Sequence, residues 1–344
     1  MPLPLIRELF EGPLDVIGDV HGEREALEVL LERLGYDAYG RHRQQRRVVF
    51  VGDLCDRGPD SPGTLRLVRE LIDRGVAQAV AGNHELNLLR GERKHGNHWF
   101  FGHREHAEFG SGVALADQER GPLLDFLRTL PVVLERPDLR VVHAAWTDET
   151  IGRLRGIETP LDVADAHFEE LLRRDPAFRA LEARRAEELD RLGAALGDPG
   201  VAPRAETLGA YEVARQTGHP LRIVTSGIER LAPHPFYAAG KWRYAHRVAW
   251  WKEYEGEVPV LFGHYWRSRD PAAHAILSPG EPALFADDPL APFMADHHRA
   301  YCIDFSVGAR YRQRVAGDRS PPHGHLAAIR WPERRLVFDS PADA

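Results

Sequence analysis

Between Leu14 and Arg90 the chain repeats one unit three times: a short apolar run, a polar loop, then a stretch with helical spacing. Leu14–Ile17 runs into Gly18-Asp19, Arg47–Val51 into Gly52-Asp53, and Val76–Val80 leads to Gly82-Asn83. Behind the first run, Glu23–Leu34 sets Ala26, Leu27, Leu30, Leu31 and Leu34 on one helical face. Ser61–Arg74 does the same with Leu65, Val68, Leu71 and Ile72, and Gly75 stops it; His84–Arg90 opens a third helix. Strand, polar loop and helix in that order argue for right-handed βαβ units and an α/β fold.

The middle of the chain changes character. Leu161 to Leu196 is charge-laced and helical with a break at Asp175-Pro176, and Glu206–Gln216 adds a further helix. This block separates two apolar strands, Arg140–Val142 and Val258–Phe262, so it reads as an insertion or cap. Short strands return at Tyr301–Phe305, Leu326–Arg330 and Leu336–Phe338, and Pro279 to Pro292 reads as a loop. Although 344 residues permit two domains, the expected organisation is one domain over 1–344, interrupted by a helical insertion at about 147–218.

Composition removes several function classes. No run approaches the roughly 18 apolar residues of a membrane span. Met1 to Gly12 has no signal-peptide core, so a cytoplasmic, membrane-free protein is expected. Two cysteines, Cys55 and Cys302, support neither a disulfide framework nor a thiolate metal site. A net charge of −7 gives no overall basic field, and no nucleic-acid-binding domain is evident.

The chemistry gathers at strand ends, where α/β folds place ligands. Five polar clusters occur in order: Asp19-Val20-His21-Gly22, Gly52-Asp53-Leu54-Cys55-Asp56-Arg57-Gly58, Gly82-Asn83-His84-Glu85, Val142-His143-Ala144 and Gly263-His264-Tyr265. Carboxylate, imidazole and amide oxygen together suit divalent manganese, iron or zinc. A lone histidine of this kind is more often structural than a ligand. Five such clusters, each after a strand, are not explained that way.

The D-x-H, G-D-x-x-D-R-G and G-N-H-E motifs with two later histidines resemble the calcineurin-like metallophosphoesterases, phosphoprotein phosphatase type. The close resemblance runs from Leu14 to about Glu85, with His143 and His264 as outlying anchors. It implies an α/β/β/α sandwich with a helical insertion, and two divalent metal ions, manganese foremost, with iron or zinc as alternatives. Asp19 and His21 would hold one metal, Asn83, His143 and His264 the other, and Asp53 would bridge them. His84 would protonate the leaving oxygen, Asp56 would orient it, and Arg57 would clamp phosphate. Glu85 reads as a structural helix-start acid.

The implied reaction is hydrolysis of a phosphoester or phosphoanhydride by a metal-bridged hydroxide. The first expectation for its substrate is a phosphorylated protein, making the chain a serine/threonine-type protein phosphatase. A nucleotide substrate, for a dinucleoside polyphosphate hydrolase, is the alternative. A nucleic-acid end phosphatase or phosphodiesterase and a non-catalytic scaffold rank below both.

Three regions depart from the pattern or stand outside it. Ala144-Ala145-Trp146 and Tyr265-Trp266 replace smaller residues of the family and are expected to put bulk beside the metals. Arg243 and Arg247 are equal candidates for a second phosphate clamp. His95, His98, His103 and His106 suggest a cleft-lining or solvated loop ahead of a third metal site. The stretch containing Trp242, Tyr244, Trp250 and Trp251 reads as packing ahead of a base-stacking wall.

Overall fold

The computed structural model describes residues 3–94, 96–102, 112–238, 240–270, 274–277, 280, 282–287 and 299–340. In chain order the first half holds β1 (Ile6–Glu8), β2 (Leu14–Ile17), α1 (Arg24–Leu34), β3 (Arg47–Phe50), α2 (Ser61–Asp73) and β4 (Ala77–Ala79). Then come α3 (Asn83–Leu89), α4 (His98–Phe101), α5 (Asp117–Arg128), β5 (Val133–Arg136) and β6 (Leu139–Val142). A helical block follows: α6 (Asp148–Leu154), α7 (Leu161–Arg174), α8 (Pro176–Leu192), α9 (Leu208–Thr217) and α10 (Pro220–Ser226). The remainder is a hairpin, β7 (Glu229–Ala238) and β8 (Lys241–Arg247), then β9 (Val260–Phe262), α11 (His274–Leu277), β10 (Ala300–Cys302), α12 (Arg310–Ala316), β11 (Ala327–Trp331) and β12 (Arg335–Phe338).

Two five-stranded sheets form the centre, in orders β12-β11-β2-β3-β4 and β1-β5-β6-β9-β10. The βαβ repeats give β2, β3 and β4 in parallel register, and β11 pairs antiparallel with β2 on the other side. Alternation along each strand divides the apolar side chains between two layers. Val16, Val49, Leu134, Val141, Leu261, Tyr301, Ile329 and Trp331 meet in one core between the sheets. Ile17, Val48, Phe50, Val133, Val142 and Phe262 face outward, where Leu27, Leu30, Leu65, Val68, Leu154 and Leu221 cover them. This is the expected α/β/β/α arrangement. Strand β1 went unread because three residues carry too little periodicity.

The helical block runs to Ser226, past Gly218, and is followed by the hairpin. All of it lies between β6 and β9, which are sheet neighbours. The break at Asp175-Pro176 is a clean restart: Pro176 is the first residue of α8, and the Asp175 carboxylate accepts from the Ala177 N–H at 2.8 Å. The reading of the aromatic stretch as packing is correct for Trp250 and Trp251. Both are buried, Trp250 against Phe262 and Trp251 against Phe285 and Tyr265. Trp242 donates to the Asp198 carbonyl at 2.7 Å. His95, His103, His106 and half of the loop from Pro279 to Pro292 lie outside the described residues. Among the described residues no helix is long and apolar enough to cross a membrane.

One buried ionic knot joins the block to the strand–helix repeats. Arg90, at the end of α3, grips Asp165 of α7 through two hydrogen bonds at 2.7 and 2.6 Å. His219 is fully buried with Nε2 3.3 Å from the same carboxylate, and its Nδ1 has no hydrogen-bond partner among the described residues. Burial lowers its pKa to about 4, against the pull of Asp165. Its ordinary value is 6.5, so between these pH values the unfolded chain binds the extra proton. His219 therefore contributes stability that is present above pH 6.5 and lost as pH falls toward 4. Urea melts at pH 7 and pH 4.5 should show wild type losing about 2–3 kcal/mol more than His219→Gln does. Equal losses in the two proteins would contradict the assignment.

Candidate active site

Loops leaving the ends of β2, β3, β4, β6, β9 and β10 meet at one place and bring together every residue singled out in the five clusters. Nε2 of His143 lies 3.3 Å from Asp53 Oδ1 and 3.3 Å from Asn83 Oδ1. Nε2 of His21 lies 3.7 Å from Asp53 Oδ2 and 3.9 Å from Asp19 Oδ2. Ligand atoms of Asp53, His143 and His264 fall within 4.8 Å of one another, as do those of His21, Asp53 and His84. Asp53 belongs to both groups. The side chains of all but Asn83 are buried.

The backbone explains how they are aimed. His143 Nδ1 sits 2.8 Å from the Val51 carbonyl and His21 Nδ1 3.1 Å from that of Cys55. A carbonyl only accepts, so each Nδ1 carries a proton and each Nε2 is turned inward toward the carboxylates. Of nine described non-glycine residues with positive φ, seven belong to these loops: His21, Asp53, Asp56, Arg57, His264, Trp266 and Ser306. Left-handed backbone costs such residues on the order of 1 kcal/mol each and clusters at functional sites. Two glycines admit close approach. A Cβ on Gly263 would stand 1.9 Å from Asp19 Oδ1, and one on Gly82 2.2 Å from Asp53 Oδ1.

Glu85 is the fastener the sequence reading took it for. Its carboxylate accepts from the N–H groups of Gly82 at 2.8 Å, Asp53 at 2.9 Å and Leu54 at 2.8 Å. It thus caps α3 and pins the Asp53 loop at once. His84 Nδ1 lies 2.5 Å from Asp56 Oδ2, which directs Nε2 toward Asp53, 3.8 Å away. The other Asp56 oxygen accepts from Trp99 Nε1 at 2.7 Å, a support that sequence reasoning missed.

Charge in this pocket is unbalanced. Burial pushes the Asp19 carboxyl well up, and Asp304 and Asp53 push it further. Burial would also raise Asp53, but His143 and His84 hold it well below the carboxylate range. His143 itself rises to about 10 despite burial, because Asp53 and Asp19 face it. Asp304 was not singled out from the sequence. It is buried, accepts from the N–H groups of Trp266 and Ser306, and adds to the negative field. A buried cluster of carboxylates that drives an imidazole to hold a proton is a cluster short of cations. The thiols are occupied elsewhere: Cys55 points at Glu85 and Cys302 at the Gly263 carbonyl. Mixed oxygen and nitrogen donors in a negative pocket fit divalent first-row metals.

Two arginines border the cluster. Arg57 Nη1 lies 2.8 Å from His21 Nε2. After burial, Arg247 is the largest influence holding the His264 pKa well down, so its charge is felt at the site. Arg243 sits four residues away along the same strand, opposite Phe236. Of the departures, Trp146 is buried against Arg140 and donates to Asp148, so the expected bulk there goes into packing. Tyr265 is likewise buried on Trp251 and Phe262. Trp266 does stand at the site, beside Arg57.

The family model for calcineurin-like phosphoesterases matches residues 12–205, more than half of the chain. The asymmetrical bis(5'-nucleosyl)-tetraphosphatase of Oceanobacillus iheyensis is 46% identical over 80 residues, covering 22% of this chain and 32% of that protein. A symmetrical bis(5'-nucleosyl)-tetraphosphatase of Janthinobacterium is 37% identical over 157 residues, 43% of this chain and 51% of that one. The chain therefore spans between a third and about half the length of these two relatives. Among solved structures, a cold-active protein-tyrosine phosphatase of a psychrophilic Shewanella superposes with a TM-score of 0.47 at 15% identity, over 99% of this chain and 83% of that one.

Proposed function

Because the chain belongs to the calcineurin-like phosphoesterases, we propose that it is a metal-dependent hydrolase whose substrates are dinucleoside polyphosphates. The observation that carries the substrate class is that both curated relatives described above are bis(5'-nucleosyl)-tetraphosphatases. That moves the nucleotide reading ahead of the protein-phosphatase reading, the first expectation from a sequence whose motifs do not separate the two.

In this reading Asp19, His21, Asp53, Asn83, His143 and His264 would hold two divalent cations, manganese being the proposed metal, with Asp53 common to both candidate groups. When bound, such cations supply Lewis-acid polarisation of a phosphoryl oxygen and make a coordinated water more acidic. The rest falls to the side chains. Arg57 and Arg247 bind and orient phosphoryl oxygens, their planar forks matching two oxygens at a time. Asp56 accepts from His84 Nδ1 and turns Nε2 toward the site, where the imidazolium form gives its Nε2 proton to the leaving oxygen. Burial of the cluster excludes bulk water, which strengthens each of these interactions.

Turnover of manganese-loaded enzyme on diadenosine tetraphosphate and on a phosphoserine peptide tests the reading. The expected result is a kcat/KM at least tenfold higher on the nucleotide. A preference for the peptide would return the chain to the protein phosphatases.

A further inference from the structure

Helix α12 follows directly on the loop that carries Asp304 and Ser306, and it brings three arginines to the edge of the site. Two are neutralised there. Arg310 pairs with Asp339 at 2.6 Å and Arg314 with Glu23 at 2.6 Å. Arg312 has no carboxylate partner among the described residues. Its Nη1 donates to the carbonyls of Leu277 at 2.6 Å and Ile276 at 3.1 Å, and its Nε to Tyr311 Oη at 3.2 Å. Nη2 makes no hydrogen bond among the described residues.

The Arg312 guanidinium lies over the Trp266 ring, 5.3 Å from its centroid. Arg57 lies over the same ring at 4.8 Å. The two cations are therefore no more than about 10 Å apart. Their mutual repulsion is only partly offset by the indole face, and no carboxylate stands with Arg312 to offset the remainder. The backbone of Trp266, which carries the indole, is fixed to the floor of the site. Trp266 has φ of 54°, and its N–H donates to Asp304 at 2.9 Å. Arg312 is held in turn by the carbonyls at the end of α11. Both sides of this wall are set before any ligand arrives.

We propose that Arg312 and Trp266 form a distal phosphate subsite, next to Arg57, that takes the remaining phosphates of a nucleoside polyphosphate and so favours phosphoanhydride chains over single phosphoesters. The proposal rests on the functional reading above. A phosphomonoester ends at Arg57, whereas a polyphosphate continues past it and meets a second planar cation within one chain's reach.

The test compares kcat/KM on diadenosine tetraphosphate with kcat/KM on p-nitrophenyl phosphate, in wild type, Arg312→Gln and Arg312→Lys. The ratio cancels any loss of folded protein. In Arg312→Gln it should fall about tenfold, equivalent to 1.4 kcal/mol, chiefly through KM for the nucleotide. Arg312→Lys should recover part of it, keeping the charge but losing the fork. Trp266→Ala removes the surface under both guanidinia and should lower kcat/KM on both substrates. A ratio unchanged in Arg312→Gln would overturn the subsite alone. Trp266→Ala with full activity on either substrate would remove the indole from it. A wild type with no preference for the tetraphosphate over the phosphoserine peptide would overturn the functional reading, and the subsite with it.

Discussion

Replacing Asp53 with Asn should cut turnover by at least about three orders of magnitude while leaving the chain folded. Asp53 is the residue common to both candidate metal groups, with its oxygens 3.3 Å from His143 Nε2, 3.7 Å from His21 Nε2 and 3.8 Å from His84 Nε2. In the proposed reading, removing its charge would leave two cations without their shared anion, and binding of the pair should fail before any chemistry is attempted. The fold has little reason to suffer. The Asp53 N–H still donates to Glu85, its carbonyl still accepts from Val20 and His21, and the amide is nearly isosteric. Bound metal per chain by elemental analysis, thermal melting by circular dichroism and initial rates would be measured together. A variant that keeps two metals and wild-type rates would remove Asp53 from the mechanism.

His84→Ala should behave differently, and the difference is diagnostic. A general acid matters in proportion to how badly the leaving oxygen needs a proton. On diadenosine tetraphosphate the loss should be on the order of 10²- to 10⁴-fold. With p-nitrophenyl phosphate, whose phenolate departs readily, it should shrink to roughly tenfold or less. Metal content should stay at the wild-type level, in contrast to the Asp53 variant. Equal losses on the two substrates would mean that His84 binds or positions something instead of donating a proton.

Much of the site was legible because its chemistry is concentrated in short motifs at strand ends. Asp19, Asp53 and Asn83 each come soon after an apolar run, and helical spacing follows each, so their convergence could be argued from local pattern. What escaped notice is long-range. Trp99 supports Asp56 from 43 positions away, and a single tryptophan in an aromatic-rich segment has nothing to mark it. Asp304 closes the acidic floor, yet Cys302-Ile303-Asp304-Phe305 contains no motif. Arg243 and Arg247 share a basic-aromatic stretch and separate only once the Arg247 charge is seen to depress the His264 pKa. The hairpin was missed for a local reason: β7 is interrupted between Leu231 and Phe236, a stretch holding Pro233 and Pro235, so its alternation is broken. The fold class needed only the repeated unit. The extent of the helical block needed the tertiary structure, because α10 opens with Pro220 immediately after a helix that appeared to end the segment.

The pairing of β2 with β11 has a consequence for how the molecule comes into being. The strand that presents Asp19 and His21 is made long before β11, one of its two neighbours. His264 is translated 245 residues after Asp19, whose carboxylate its N–H meets. At ordinary elongation rates of about 5–20 residues per second, that gap lasts roughly 12–50 seconds. For that time a nascent chain lacks His264, the last of the six proposed ligands, and β2 has no partner on its β11 side. In the proposed reading, completion of the ligand set and closure of this sheet both come late. Supplying the cation during refolding should therefore raise the yield of active enzyme more than adding it afterwards.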